Sequence, residues 1–153
     1  MDELQKIDDW LAALLANLEP AARTRMLREV ARDVRRIQQQ NITAQRAPDG
    51  TAWEPRRVTA RTKQGRVKRK MFTKLKTAKY LKAQANASQA EIAFVPIVQK
   101  LARVHHYGLR DRVNSRGTMV KYAERSLLGI NGETKQLLHE VLSHWLLDKT
   151  SGI

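Results

Sequence analysis

Cysteine is absent from the 153 residues, which excludes disulfides, thiolate metal sites and thiol nucleophiles and suits a reducing compartment. Histidine is scarce. His105 and His106 are adjacent, while His139 and His144 stand five apart, off the shared helix face that ligands at i+3 or i+4 would use. No metal and no cofactor are expected, and packing near Tyr107 is the expected role of His105 or His106. Neither GxxxxGK nor GxGxxG occurs among the seven glycines. Ser115, Ser126 and Ser143 stand in neither a nucleophile elbow nor an SxxK context. Asp8 and Asp9 are neighbours that point in different directions on a helix, so they form no paired-carboxylate site. The chain is not expected to be an enzyme. Aromatic residues make up 5%, few platforms for stacking bases, and no helix-turn-helix, zinc-finger, RNP or KH signature occurs. No apolar run approaches the length of about 18 residues that a membrane span needs. The opening MDELQKIDDW is acidic, unlike a signal peptide. A soluble protein made and used in the cytoplasm is expected, with no membrane partner.

Lysine and arginine are what the chain has in excess. They number 29 against 15 acids, a net charge of +14. The excess is concentrated: residues 46–82 hold thirteen Lys or Arg and two acids, a net of +11. A stretch of that charge cannot bury itself, because every unpaired cation would lose its hydration. It is expected to meet an anionic partner, through Arg56, Arg57, Arg61, Lys63, Arg66, Lys68, Arg69 and Lys70 above all. Between positions 56 and 70, Val58 and Val67 are the only aliphatic residues larger than alanine, so a loop or an arm that orders on binding is expected over 46–70.

The remaining pattern predicts an α+β fold in one domain over 1–153. Leu4, Ile7, Leu11, Leu14, Leu15 and Leu18 recur at spacings of three and four beside Trp10, which predicts a helix over 2–18. Pro20 can end it and open a second helix, whose stripe is Met26, Leu27, Val30, Val34 and Ile37. The two are expected to pair as an N-terminal helical hairpin over 1–40. Pro48-Asp49-Gly50 signals a turn. Residues 71–130 are expected to carry a small antiparallel sheet. Its strands are 80–85 and 90–95, joined by a polar turn at 86–89, with a further strand at 119–122. Phe72 and Tyr80 read as strand core. A short helix over 97–106 is ended by Gly108, and 109–118 reads as a second exposed basic loop. Asn131 is expected to cap a terminal helix over 131–148, with Leu137, Leu138, Val141, Leu142, Trp145 and Leu146 as the face that covers the sheet.

Three stretches are more specific than composition: PDGTAW (48–53), HHYGL (105–109) and YAERSLLGI (122–130). Together with the opening IDDWLAALLANLEPAARTRML, and in this order, they resemble the phage virion morphogenesis family over nearly the whole chain. The resemblance implies a non-enzymatic structural protein, part of the virion and assembled in the host cytoplasm. It implies action late in tail assembly, completing the tail at its head-proximal end so that tail and head can join. It also implies a homo-oligomeric ring, often of six subunits, with other tail and neck proteins as partners. At residue level, Arg125 ahead of Leu127 and Leu128 places a bidentate cation beside an apolar edge, and Trp53 is an anchoring indole. These four are subunit-interface candidates, with ordinary packing inside the chain as the alternative reading. A sequence-independent nucleic-acid-binding protein using the basic arm is the alternative function.

Overall fold

The computed structural model describes residues 2–16, 18–57, 70–112 and 115–150, and the side chains of all these except Asp2, Leu14 and residues 146–150. Helix α1 runs Asp2–Leu15 and helix α2 Pro20–Thr43. Glu19 takes an extended conformation between them, and Pro20 opens α2 in the first turn, where its missing N–H costs nothing. Strands β1 (Leu81–Ala85) and β2 (Ala90–Phe94) form an antiparallel hairpin, in register from Leu81 opposite Phe94 to Ala85 opposite Ala90. The Asn86 side-chain oxygen accepts from the backbone N–H groups of Ser88 and Gln89, which closes the turn without glycine. Helix α3 (Pro96–Tyr107) follows, then strands β3 (Arg110–Arg112) and β4 (Met119–Lys121), and helix α4 (Gly132–Thr150) ends the described chain.

The buried stripe of α2 is Met26, Leu27, Val30, Ala31, Val34, Ile37, Gln38, Asn41 and Ile42. It recurs at three and four, and each large aliphatic member stabilises the fold by about 1.5–3 kcal/mol. The stripe is long enough to serve two clusters. Its N-terminal half joins Leu15 and Leu18 to Leu138, Val141 and Leu142 of α4, with Ile7, Trp10, Leu11 and residues Ala85, Ala90 and Ile92 of the hairpin against them. Its C-terminal end, Ile42, joins Trp53, Leu75, Leu81, Phe94, Ala102 and Leu127. Helix α2 thus touches both strands of the hairpin and also α4. Ring and ion-pair contacts hold α1 to α4: Trp10 lies 4.4 Å from the His139 ring, and Lys135 pairs with Glu3. The Trp145 indole N–H donates to Glu29 at 2.6 Å and ties α4 to α2.

Three expectations need correction. Helix α2 does not stop near Gln40 but continues to Thr43, because Gln38 and Asn41 lie on its buried face. Residues 110–112 are not loop: they pair with Met119–Lys121 as a second, separate two-stranded ladder. Strand β3 carries no apolar alternation to betray it, since the ladder is held by backbone bonds at an exposed surface, while its partner falls on the strand expected at 119–122. Phe72 and Tyr80 also fall outside the strands; Phe72 sits in a turn at φ 63°.

At the end of α3, Gly108 takes φ 65°, and a Cβ there would lie 2.8 Å from the backbone nitrogen of Glu124. Chain direction reverses at a place where only glycine fits. At the start of α4, the Asn131 side-chain oxygen accepts from the Thr134 N–H at 2.8 Å and the Thr134 hydroxyl at 2.9 Å, while its amide donates to the Pro48 carbonyl at 2.8 Å. We expect Asn131→Ala to lower the unfolding free energy by about 1–2 kcal/mol. Asn131→Asp, which keeps the capping oxygen and loses the Pro48 donor, should recover part of that loss in urea titration.

Candidate functional site

The basic segment enters and leaves the folded body at one place. On the entry side, Gln45 turns left-handed (φ 57°) just beyond α2, and Arg46 bridges to Ala52 across the 47–51 turn. The Trp53 N–H then donates to the Gln45 carbonyl at 2.9 Å. The Trp53 indole is buried and donates to the Ser126 carbonyl at 3.0 Å. Beyond it, Arg125 donates from Nε to the Glu54 carbonyl at 2.8 Å and from its terminal nitrogen to the Pro55 carbonyl at 3.2 Å. On the exit side, the Gln45 amide pairs with the backbone of Met71. It accepts from the Met71 N–H at 2.7 Å and donates to the Met71 carbonyl at 2.9 Å, as a strand neighbour would. One residue later the chain turns left-handed again at Phe72, a conformation that costs a bulky residue on the order of 1–3 kcal/mol.

That turn inserts the Phe72 ring between Trp53 (5.5 Å, edge-on) and His105 (5.0 Å), and His105 in turn lies 4.6 Å from Tyr122. Four rings form a row beneath the two roots of the segment. His105 and His106 are held there by the backbone. The Arg125 N–H donates to the His105 carbonyl at 2.8 Å, and the Leu127 N–H donates to His106 Nδ1 at 3.1 Å. The three sequence stretches that carry the family resemblance therefore come together: 48–53 packs against 122–130, 122–130 packs against 105–109, and Phe72 bridges Trp53 to His105.

Electrostatically the place is cationic. Burial pulls the Arg125 guanidinium below its ordinary value, and Arg56 adds to this while Glu54 opposes it. Burial also pulls His105 down, helped by the charges of Arg125 and Arg56 and opposed by Asp111. His106 is pulled down by burial against the field of Glu124. Beside the ring row opens a cavity of about 600 Å³, lined by residues 54–57 and 120–123 with Met71, Phe72, His105 and Arg125.

Of the eight cations expected to meet an anionic partner, Arg56, Arg57 and Lys70 stand at these roots, Arg56 half-buried and the other two exposed. Arg61, Lys63, Arg66, Lys68 and Arg69 lie outside the described residues. Of the subunit-interface candidates, Trp53 (6% exposed), Arg125 (8%) and Leu127 (1%) lie inside the chain, engaged in contacts within it, and Leu128 is half-buried. Gln45, Phe72 and Tyr122 were not legible as parts of this place. Gln45 resembles any polar residue after a helix, and nothing in the spacing of Phe72 and Tyr122 joins them to His105. Among the described residues no group of three His, Asp or Glu side chains could hold a metal, and no helix is long and apolar enough to cross a membrane.

The chain thus combines helices packed with a small hairpin and a cationic segment whose two roots meet over a row of rings. It belongs to the phage virion morphogenesis family, whose model matches residues 2–147. It is similar to the tail completion protein S of Escherichia phage P2, with 40% identity over 144 residues covering 93% of this chain and 96% of that protein. No solved structure matches it significantly.

Replacing Arg125 by lysine keeps a positive charge but not the fork that reaches two carbonyls, so we expect a loss of about 2 kcal/mol in unfolding free energy. Stability should also depend on pH. Above the ordinary imidazole value of 6.5, both histidines are neutral in the folded and unfolded chains, and their contribution is complete. As pH falls through that value, the unfolded chain takes up protons that the folded chain resists, so the urea midpoint should drop, levelling below the lowered folded values. His105→Phe should flatten part of this slope, with His106 supplying the rest.

Proposed function

We propose that the chain, folded as one domain, is a non-enzymatic tail completion protein of a phage virion, acting at the head-proximal end of the tail so that tail and filled head can join. The reading rests on the similarity to tail completion protein S along nearly the full length of both chains. The basic segment and its roots supply the means. Concentrated charge attracts acidic surfaces of tail and neck neighbours from a distance and orients docking, while rigid roots fix where the segment emerges. The family resemblance supports a ring of copies, often six, assembled in the host cytoplasm. Leu128, half-buried beside the exposed Ile130, would supply an apolar edge between subunits.

Deletion of the gene in its phage should leave filled heads and unattached tails in electron micrographs of the lysate; intact infectious particles would overturn the assignment. Complementation with a chain in which the eight cations (Arg56, Arg57, Arg61, Lys63, Arg66, Lys68, Arg69 and Lys70) are glutamine tests the segment. At about 0.5 kcal/mol per solvated contact, these changes together should weaken docking on the order of 10³-fold and leave tails uncompleted. Tight binding of random duplex DNA near physiological salt, with a dependence of several ions, would favour a nucleic-acid partner.

A further inference from the structure

We propose that the cavity between the two roots receives an acidic segment of a neighbouring tail protein, one that presents a carboxylate beside an apolar side chain. This rests on the tail-assembly reading and names the chemistry of one partner.

Charge comes first. The cavity walls bring together Arg56, Arg57, Lys121 and Arg125 against one acid, Glu54. Arg125 is 8% exposed, and its hydrogen-bond partners are two neutral carbonyls. Arg125 takes no part in the ion pairs of Arg36 with Asp33, Lys100 with Asp111 and Lys135 with Glu3. A desolvated cation hydrogen-bonded to carbonyls, with Glu54 acting on it only through its field, is costly, so an incoming carboxylate gains more here than on a solvated face. The apolar wall decides what carries that carboxylate. Met71, Phe72, Val120 and Tyr122 line the same hollow. A nucleic-acid duplex keeps its bases stacked inside and presents phosphate and sugar first, so it brings little to cover them, whereas a protein segment brings an aliphatic or aromatic side chain with its acid.

The Phe72 ring also walls a second hollow of about 500 Å³, where Val98 and Leu101 lie beside Lys70 and Lys74. Leu101 is 46% exposed and Ile97 85% exposed, so the apolar path continues out of the cavity over α3. A residue held at φ 63° between two cation-rimmed apolar hollows is strain kept at a binding surface, where it shapes the wall before the partner arrives.

The test uses the full chain and a short synthetic peptide alternating aspartate with phenylalanine. The peptide should saturate at one per chain and raise the titration midpoint of His105 followed by NMR, because its carboxylate lies against that ring; the asparagine version should do neither. Lys121→Glu should weaken binding about tenfold, whereas Lys82→Glu, the same charge change on exposed β1, should stay within about twofold. Absence of saturable binding, or equal losses in the two variants, overturns the site. So does a shift of His105 caused by a short DNA duplex and not by the peptide. Failure here with normal tail completion in the phage removes the cavity site alone, while peptide binding by a chain dispensable for infectivity removes the assembly reading alone.

Discussion

Arg125 reaches from the irregular segment 122–131 to the carbonyls of Glu54 and Pro55, and the position of the basic segment depends on that reach. A planar guanidinium can satisfy two carbonyls at once and so fix both distance and direction, which a lysine ammonium on a flexible stem does poorly. Burial makes the bond demanding. The charge gives up water, and the carbonyls of Glu54 and Pro55 replace only part of what it loses. The counterpart across the cavity is neutral: Gln45 holds Met71 through an amide that imitates a strand. One root is held by charge and the other by a neutral pair, and the ring row from Trp53 to Tyr122 fills the space between them.

The arrangement answers a problem set by composition. A net charge of +14 opposes compaction, and most of it falls within residues 46–82. Helix α2 carries the apolar burial that offsets this. Its stripe feeds one cluster with α1 and α4 and a second with the hairpin, α3 and Leu127. The cationic roots sit at the second cluster, where Trp53 is simultaneously core residue and anchor. Charge is therefore presented directly from a packed core cluster.

Periodicity made the helices and the β1–β2 hairpin readable, because each buries a regular face: Met26 through Ile37 on α2, and alternating positions either side of the turn at 86–89. It failed where burial is polar. Gln38 continues the α2 stripe, but it is buried because its amide makes two bonds to the backbone of Gly129, 91 positions away. No local rule announces such a partner. Strand β3 was missed for the opposite reason, having no buried face to impose alternation. The inward roles of Trp53 and Arg125 depend on which segments meet, which spacing does not encode. What the sequence did carry was the resemblance, and its three stretches are the segments that meet at the roots.

That convergence has a physical reading. Residues 48–53, 105–109 and 122–130 are distant in the chain, and their fit depends on close approach. A Cβ at Gly108 would collide with the backbone of Glu124, and one at Gly129 would lie 2.9 Å from Pro48. Apolar packing tolerates exchange among side chains of similar volume, but backbone-to-backbone contact does not. The motif residues are thus those whose geometry admits few substitutes, and they support the roots from beneath.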